Sequence, residues 1–201
     1  MTAPGETIMP NAYTLSCYQQ LGIDLDNLGC IMLDVELPQY VSAQLEPEWA
    51  YRSADPKLAH AAGYPDEHHV TMLFGLLHNG NAIRSAVDEV LDGWTPPQVL
   101  HCVDVGYFSS PLPSEHYKCL WVKPHAPELL DAHQRLSMLP HIDTHASYVP
   151  HITLGYVQEQ HAARAIERLD HLCMEQQLSC KVLGMNYGDP PQASAAPRSK
   201  P

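Results

Sequence analysis

Two short stretches, "HVTM" at 69–72 and "HITL" at 151–154, each place an imidazole and a hydroxyl two residues apart. Side chains alternate faces along an extended strand, so His69 and Thr71 share one side, as do His151 and Thr153. Strict alternation sends Val70, Met72 and Phe74, and likewise Ile152, Leu154 and Tyr156, to the other side. With 13 His and seven Thr in the chain, simple frequencies give about half an accidental His-x-Thr. One copy would mean little; two complete copies flanked by aliphatic residues are harder to assign to chance. A weaker version, His145-Ala146-Ser147, sits in polar, loop-like sequence.

The chemistry that such a pair could do is proton transfer on both sides of a phosphorus atom. Imidazole titrates near pH 6.5, so around neutrality one ring can be neutral and the other protonated. The neutral ring accepts a proton from an attacking water or hydroxyl, and the protonated ring donates one to the leaving alkoxide. Negative charge grows on the non-bridging oxygens meanwhile, where two Thr hydroxyls could donate hydrogen bonds. This scheme requires no metal and no cofactor.

The elements that must hold these residues alternate between strand and helix. "GCIMLDVEL" (29–37) reads as a strand, and "YPDEHHVTMLFGLL" (64–77) as a Pro-Asp turn feeding a strand. "NAIRSAVDEVLDGW" (81–94) has apolar residues at helical spacing and a Gly near its end. Strands are predicted over 98–108 and 116–124, a helix over 127–139 with Pro near its start, a strand over 148–157, a helix over 159–177 and a strand over 178–188. This order predicts an α+β domain of two similar halves. Residues 1–12 and 188–201, rich in Pro, Ala, Ser and Gly, are expected to be flexible, leaving 13–187 as a single bilobal domain. The segment 38–63 offers no motif.

On these residues the chain resembles the 2H phosphoesterase superfamily, which includes RNA 2′,3′-cyclic phosphodiesterases and 2′-5′ RNA ligase-like proteins and is marked by two His-x-Thr/Ser motifs followed by apolar residues. The likeness runs from about Cys30 to Tyr187, most specifically through "YKCLWVKPHAPELLDAHQRL" and "YVPHITLGYV". It implies a bilobal fold of two pseudo-symmetric antiparallel-sheet lobes with outer helices around a central cleft, the motif strands side by side at its floor. It makes His69 and His151 the acid/base pair and Thr71 and Thr153 the phosphate-oxygen donors, without deciding which His is the acid. The substrates it suggests are 2′,3′-cyclic phosphates, 2′-5′ oligoadenylates and, in some viruses and phages, cyclic nucleotide immune signals.

The formal charge of -12 argues against tracking a long nucleic acid, because that binding is driven by Lys and Arg neutralising phosphates. A small nucleotide or cyclic oligonucleotide remains a suitable partner. No apolar run is long enough to span a bilayer and no secretory signal is visible, so the expected setting is soluble and cytoplasmic. The six cysteines form no C-x-x-C and are expected to be free, mostly buried thiols.

Tyr148, Phe74, Trp121 and Tyr107 lie on or next to the expected cleft strands, where an aromatic could stack on a base or simply pack the core. Tyr148, just before the second motif, is the strongest of these. His68 is expected at a rim, facing away from His69. His141 and His145 stand four apart, a spacing that could hold a metal on a helix, but Pro140 weakens the helix. Arg52, Lys118 and Lys123 are the basic residues nearest to cleft elements in sequence. The rivals to a metal-independent phosphodiesterase are a protein that sequesters a nucleotide uncleaved and a His-based metallohydrolase.

Overall fold

The computed structural model describes residues 28–53, 62–78, 81–110, 114–143 and 147–188. The N-terminal stretch 1–12 lies outside the described residues, and of the expected tail only Gly188 lies within them. Among the described residues, strands β1 (Gly29–Glu36), β2 (His68–Leu76), β3 (Val99–Ser109), β4 (Tyr117–His125), β5 (Ile152–Gln158) and β6 (Ser179–Asn186) form a closed antiparallel barrel in the order β1-β2-β5-β4-β3-β6. The ring divides into two three-stranded lobes, β6-β1-β2 and β3-β4-β5. Long ladders join strands within a lobe. The seams are short: β2 meets β5 in register at Val70 and Ile152, and β3 meets β6 over Val99, Leu100 and His101.

Helices α1 (Gln39–Ser42), α2 (Arg84–Val90), α3 (Pro127–Leu136) and α4 (Glu159–Glu175) complete the α+β architecture. In α4 the buried residues are Ala162, Ala165, Leu169, Leu172 and Cys173, a stripe at helical spacing that faces the barrel. This helix lies over β3, β4 and β5, while α3 lies over β2. Pro127 opens α3, where a missing N–H costs nothing, and Leu129, Ala132 and Leu136 are buried. Leu136 and Leu169 are fully buried, each contributing about 1.5–3 kcal/mol.

The core is therefore a layer between helices and the outer face of the sheet. Ile31, Leu33, Val35, Val70, Met72, Leu120, Val122, Ile152 and Leu154 all belong to it. The alternate residues of β1, Met32 and Asp34, are only half-buried and face the barrel interior. That leaves the inner face for polar groups.

The expected elements are present with shifted ends. The strand expected over 148–157 begins at Ile152; Pro150, just before the motif, has no N–H to give to a ladder. The uninformative segment 38–63 contributes α1 and a 3₁₀ turn, Pro47–Trp49. Trp49 is 2% exposed, with the Arg168 guanidinium 4.6 Å above its ring, which pins this excursion to α4. Cys30, Cys102, Cys119, Cys173 and Cys180 are free and buried; Cys17 lies outside the described residues. Among the described residues, no helix is long and apolar enough to cross a membrane.

Candidate active site

The pairing of Val70 with Ile152 centres the two motifs on each other, running in opposite directions. Both partners are fully buried on the core face, so the residues flanking them point inward. Carrying the register one residue each way sets His69 across from Thr153, and Thr71 across from His151. The two histidines are then diagonal neighbours, about 7–8 Å apart. Two imidazoles and two hydroxyls thus flank the Val70–Ile152 pair on the inner face.

Each motif is followed by a β-bulge at the same place. In β2 the register against β1 slips between Met32–Thr71 and Ile31–Leu73, leaving Met72 as the extra residue. In β5 the register against β4 slips between Trp121–Thr153 and Leu120–Gly155, leaving Leu154 as the extra residue. A bulge breaks strict alternation. Phe74, opposite Cys30, and Tyr156, opposite Cys119, are thereby turned to the motif face, which corrects the sequence expectation for both. Gly155 fits its bulge because its φ is +150 and the Tyr64 ring lies where a Cβ would project.

Bulged strands leave carbonyls without ladder partners, and side chains take them up. The Tyr148 hydroxyl donates to the Thr71 carbonyl at 3.0 Å. His133 of α3 donates from Nδ1 to the Met72 carbonyl at 2.7 Å, and its ring stacks on Tyr148 with centroids 3.9 Å apart. His68 donates from Nδ1 to the Thr153 carbonyl at 3.0 Å across the seam. Tyr148, expected to contact substrate, braces β2, and His68 ties the motif strands together.

His151 is half-buried, and its Nδ1–H donates to the Val149 carbonyl at 2.8 Å. In the neutral ring this places the lone pair on Nε2. The Phe108 ring packs edge-on against it at 4.9 Å. His69 is exposed, yet the surrounding wall strips water enough to push its pKa below the ordinary value; the Asp34 carboxylate opposes that, and His68 adds to it. Asp34 is the cross-strand partner of His69. Asn186 of β6 donates from Nδ2 to both Asp34 oxygens at 3.0 Å.

Trp121 lies beside Thr153 on β4, its ring over Gly106 and 5.5 Å from Phe108. Its indole N–H is buried without a partner among the described residues. Cys119 Sγ lies 3.9 Å from Thr153 Oγ1. Tyr107 pairs with Leu120 on the opposite face and is 45% exposed, so it does not join the motif side chains. Lys118 also points outward, paired with Glu159 at 2.7 Å. Lys123 is on the inner face, whereas Arg52 is exposed beside a separate cavity of about 770 Å³ with Tyr51 and His116. His141 donates to the Leu139 carbonyl and meets Asp143; His145 lies outside the described residues.

The sequence reading missed Asp34, Asn186, Phe108 and Tyr156. No local signal marks them, because each acquires its place from cross-strand register.

The barrel thus carries two antiparallel His-x-Thr strands paired at Val70 and Ile152. A family model described as the 2′-5′ RNA ligase superfamily matches residues 44–184, and the chain belongs to that superfamily. It is a phosphodiesterase of the 2H type, a hydrolase. Among solved structures, Kluyveromyces marxianus Usb1 with uridine monophosphate is similar at 14% identity and a TM-score of 0.50, covering 81% of this chain and 95% of that one. A second structure of the same yeast protein gives 13% identity and a TM-score of 0.47 over the same shares. No curated protein matches by sequence.

Proposed function

We propose that residues 13–187 form one bilobal domain that cleaves a phosphodiester in a short or cyclic nucleotide, with His69 and His151 exchanging protons on opposite sides of phosphorus and Thr71 and Thr153 holding its non-bridging oxygens. The observation that carries this reading is the Val70–Ile152 pairing, which sets the motifs about one inner-face position. Phe74, Tyr156, Phe108 and Trp121 supply an aromatic surround suited to a base or sugar, and the unpartnered Trp121 N–H is a donor for the ligand. The charge of -12 favours a short substrate over a long strand. Uridine monophosphate in the similar yeast structure accords with a nucleotide of that size.

The linkage follows from a screen. Uridylyl-3′,5′-uridine, a 2′-5′ oligoadenylate, a 2′,3′-cyclic phosphate end, and cyclic mono-, di- and trinucleotides of the kind used as immune signals are incubated with protein and read by mass. The expected result is cleavage of one class in excess chelator, abolished by His69→Ala and by His151→Ala in folded protein. Full activity in either variant would end the assignment. Nucleotide bound and recovered unchanged by the wild type would favour a sequestering protein instead.

A further inference from the structure

We propose that Asp34 is a positioning residue that supports the proton-donating form of His69, which makes His69 the acid and His151 the base. The inference rests on the two-histidine reading above and deepens it.

Asp34 is the cross-strand neighbour of His69 on the inner face. Its two oxygens are fixed by one Asn186 amide, a neutral partner that orients the carboxylate and leaves its charge in place. No Lys or Arg pairs with it among the described residues. The register puts Gly184, which has no side chain, on its β6 side. The field of Asp34 therefore falls on His69. The other titratable groups around that ring are His68 on its own strand and His151 across the seam, both of which disfavour a second positive charge when protonated. The Asp34 carboxylate favours the imidazolium against the loss of solvent around the ring, without outweighing it.

His151 has the opposite surroundings. Its Nδ1–H is given to the Val149 carbonyl, which suits a neutral ring with its lone pair on Nε2. One residue beyond the Val122–Ile152 pair, the inner-face neighbour of His151 is Lys123, a cation that disfavours a second one. In the step that follows, Nε2 of His151 takes the proton of the attacking hydroxyl. The oxygen–phosphorus bond forms, the bond from phosphorus to the leaving oxygen breaks, and that oxygen takes the proton of His69. One ring gains and the other loses a proton, and exchange with solvent resets both.

Two substrates that differ only in leaving group test this: uridylyl-3′,5′-uridine, whose departing alkoxide needs a proton, and uridine 3′-(p-nitrophenyl phosphate), whose phenolate does not. Asp34→Asn is expected to lose about 30-fold or more on the dinucleotide but only a few-fold on the nitrophenyl ester. Its alkaline limb of kcat/KM should move to lower pH, with Asp34→Glu restoring most of both. His69→Ala should be rescued by the nitrophenyl ester and His151→Ala should not. Equal losses on the two substrates, an unmoved alkaline limb, or rescue of His151→Ala in place of His69→Ala would overturn the assignment. Wild-type protein inert on both probes would refute the phosphodiesterase reading at these linkages and take this inference with it, a result distinct from an active wild type with an indifferent Asp34.

Discussion

In the lobe built from β6, β1 and β2, the inner-face neighbour of Thr71 is Met32 and that of His69 is Asp34. In the lobe built from β3, β4 and β5, the same places beside Thr153 and His151 fall to Trp121 and, one residue past the Val122–Ile152 pair, Lys123. One step further along, Cys30 faces Phe74 and Cys119 faces Tyr156. The backbone plan repeats down to the bulge after each motif, while the charges beside the two imidazoles are opposite. Phosphodiester cleavage needs one ring to give a proton while the other takes one. Two equivalent sites would compete for the same proton; unequal neighbours remove that degeneracy without moving either histidine.

The largest expected effects come from deleting the matched pair. His69→Ala and His151→Ala should each lower kcat by about 10²–10⁴-fold. The double variant should lose little more than the worse single one, because the two rings act as a unit. Single-turnover rates on whichever diester the screen identifies provide the measurement; losses that multiply in the double variant would mean that the lobes act independently. Next come the hydroxyls. Thr71→Val and Thr153→Val should each cost about 10²-fold in kcat with KM little changed, as expected of a donor that matters most in the transition state. A change confined to KM would make them ground-state contacts.

The pH profile sharpens the comparison further. It should be bell-shaped, since one ring must be protonated and the other neutral. The His69 pKa is pushed down by burial despite Asp34. As the acid, His69 works only below its own pKa, so the alkaline limb should start below the ordinary imidazole value of about 6.5, with rate falling through neutrality. A rate that climbs into alkaline pH would remove His69 from the acid's role.

What could be read from the chain alone follows the same division. The strands, helices and both His-x-Thr motifs were legible because local periodicity encodes them. The turning of Phe74 and Tyr156 was not, since a bulge is an exception to the period of two and depends on the partner strand. Nor was Asp34, which lies 35 positions before His69 in sequence and becomes its neighbour only through the β1–β2 ladder. The bracing role of Tyr148 was hidden for a related reason: its hydroxyl goes to the Thr71 carbonyl and its ring to His133, partners distant from it in sequence.

That clamp supplies the smallest effect expected and one more contrast between the lobes. The first motif has its Thr71 carbonyl held by Tyr148 from the segment before β5, and the second has its Thr153 carbonyl held by His68 from β2. Each motif is thus braced by the chain of the other. Tyr148→Phe keeps the stack on His133 and removes one hydrogen bond to a half-buried carbonyl, so the loss of stability should be about 1 kcal/mol, read as a lower denaturation midpoint at unchanged m. His68→Phe should cost a similar amount by the same measure. Because the braces cross the seam where β2 and β5 share one register pair, the two losses should not simply add when the variants are combined. Strict additivity would show that each brace serves only the strand it touches, and that the short seam is held by the Val70–Ile152 packing alone.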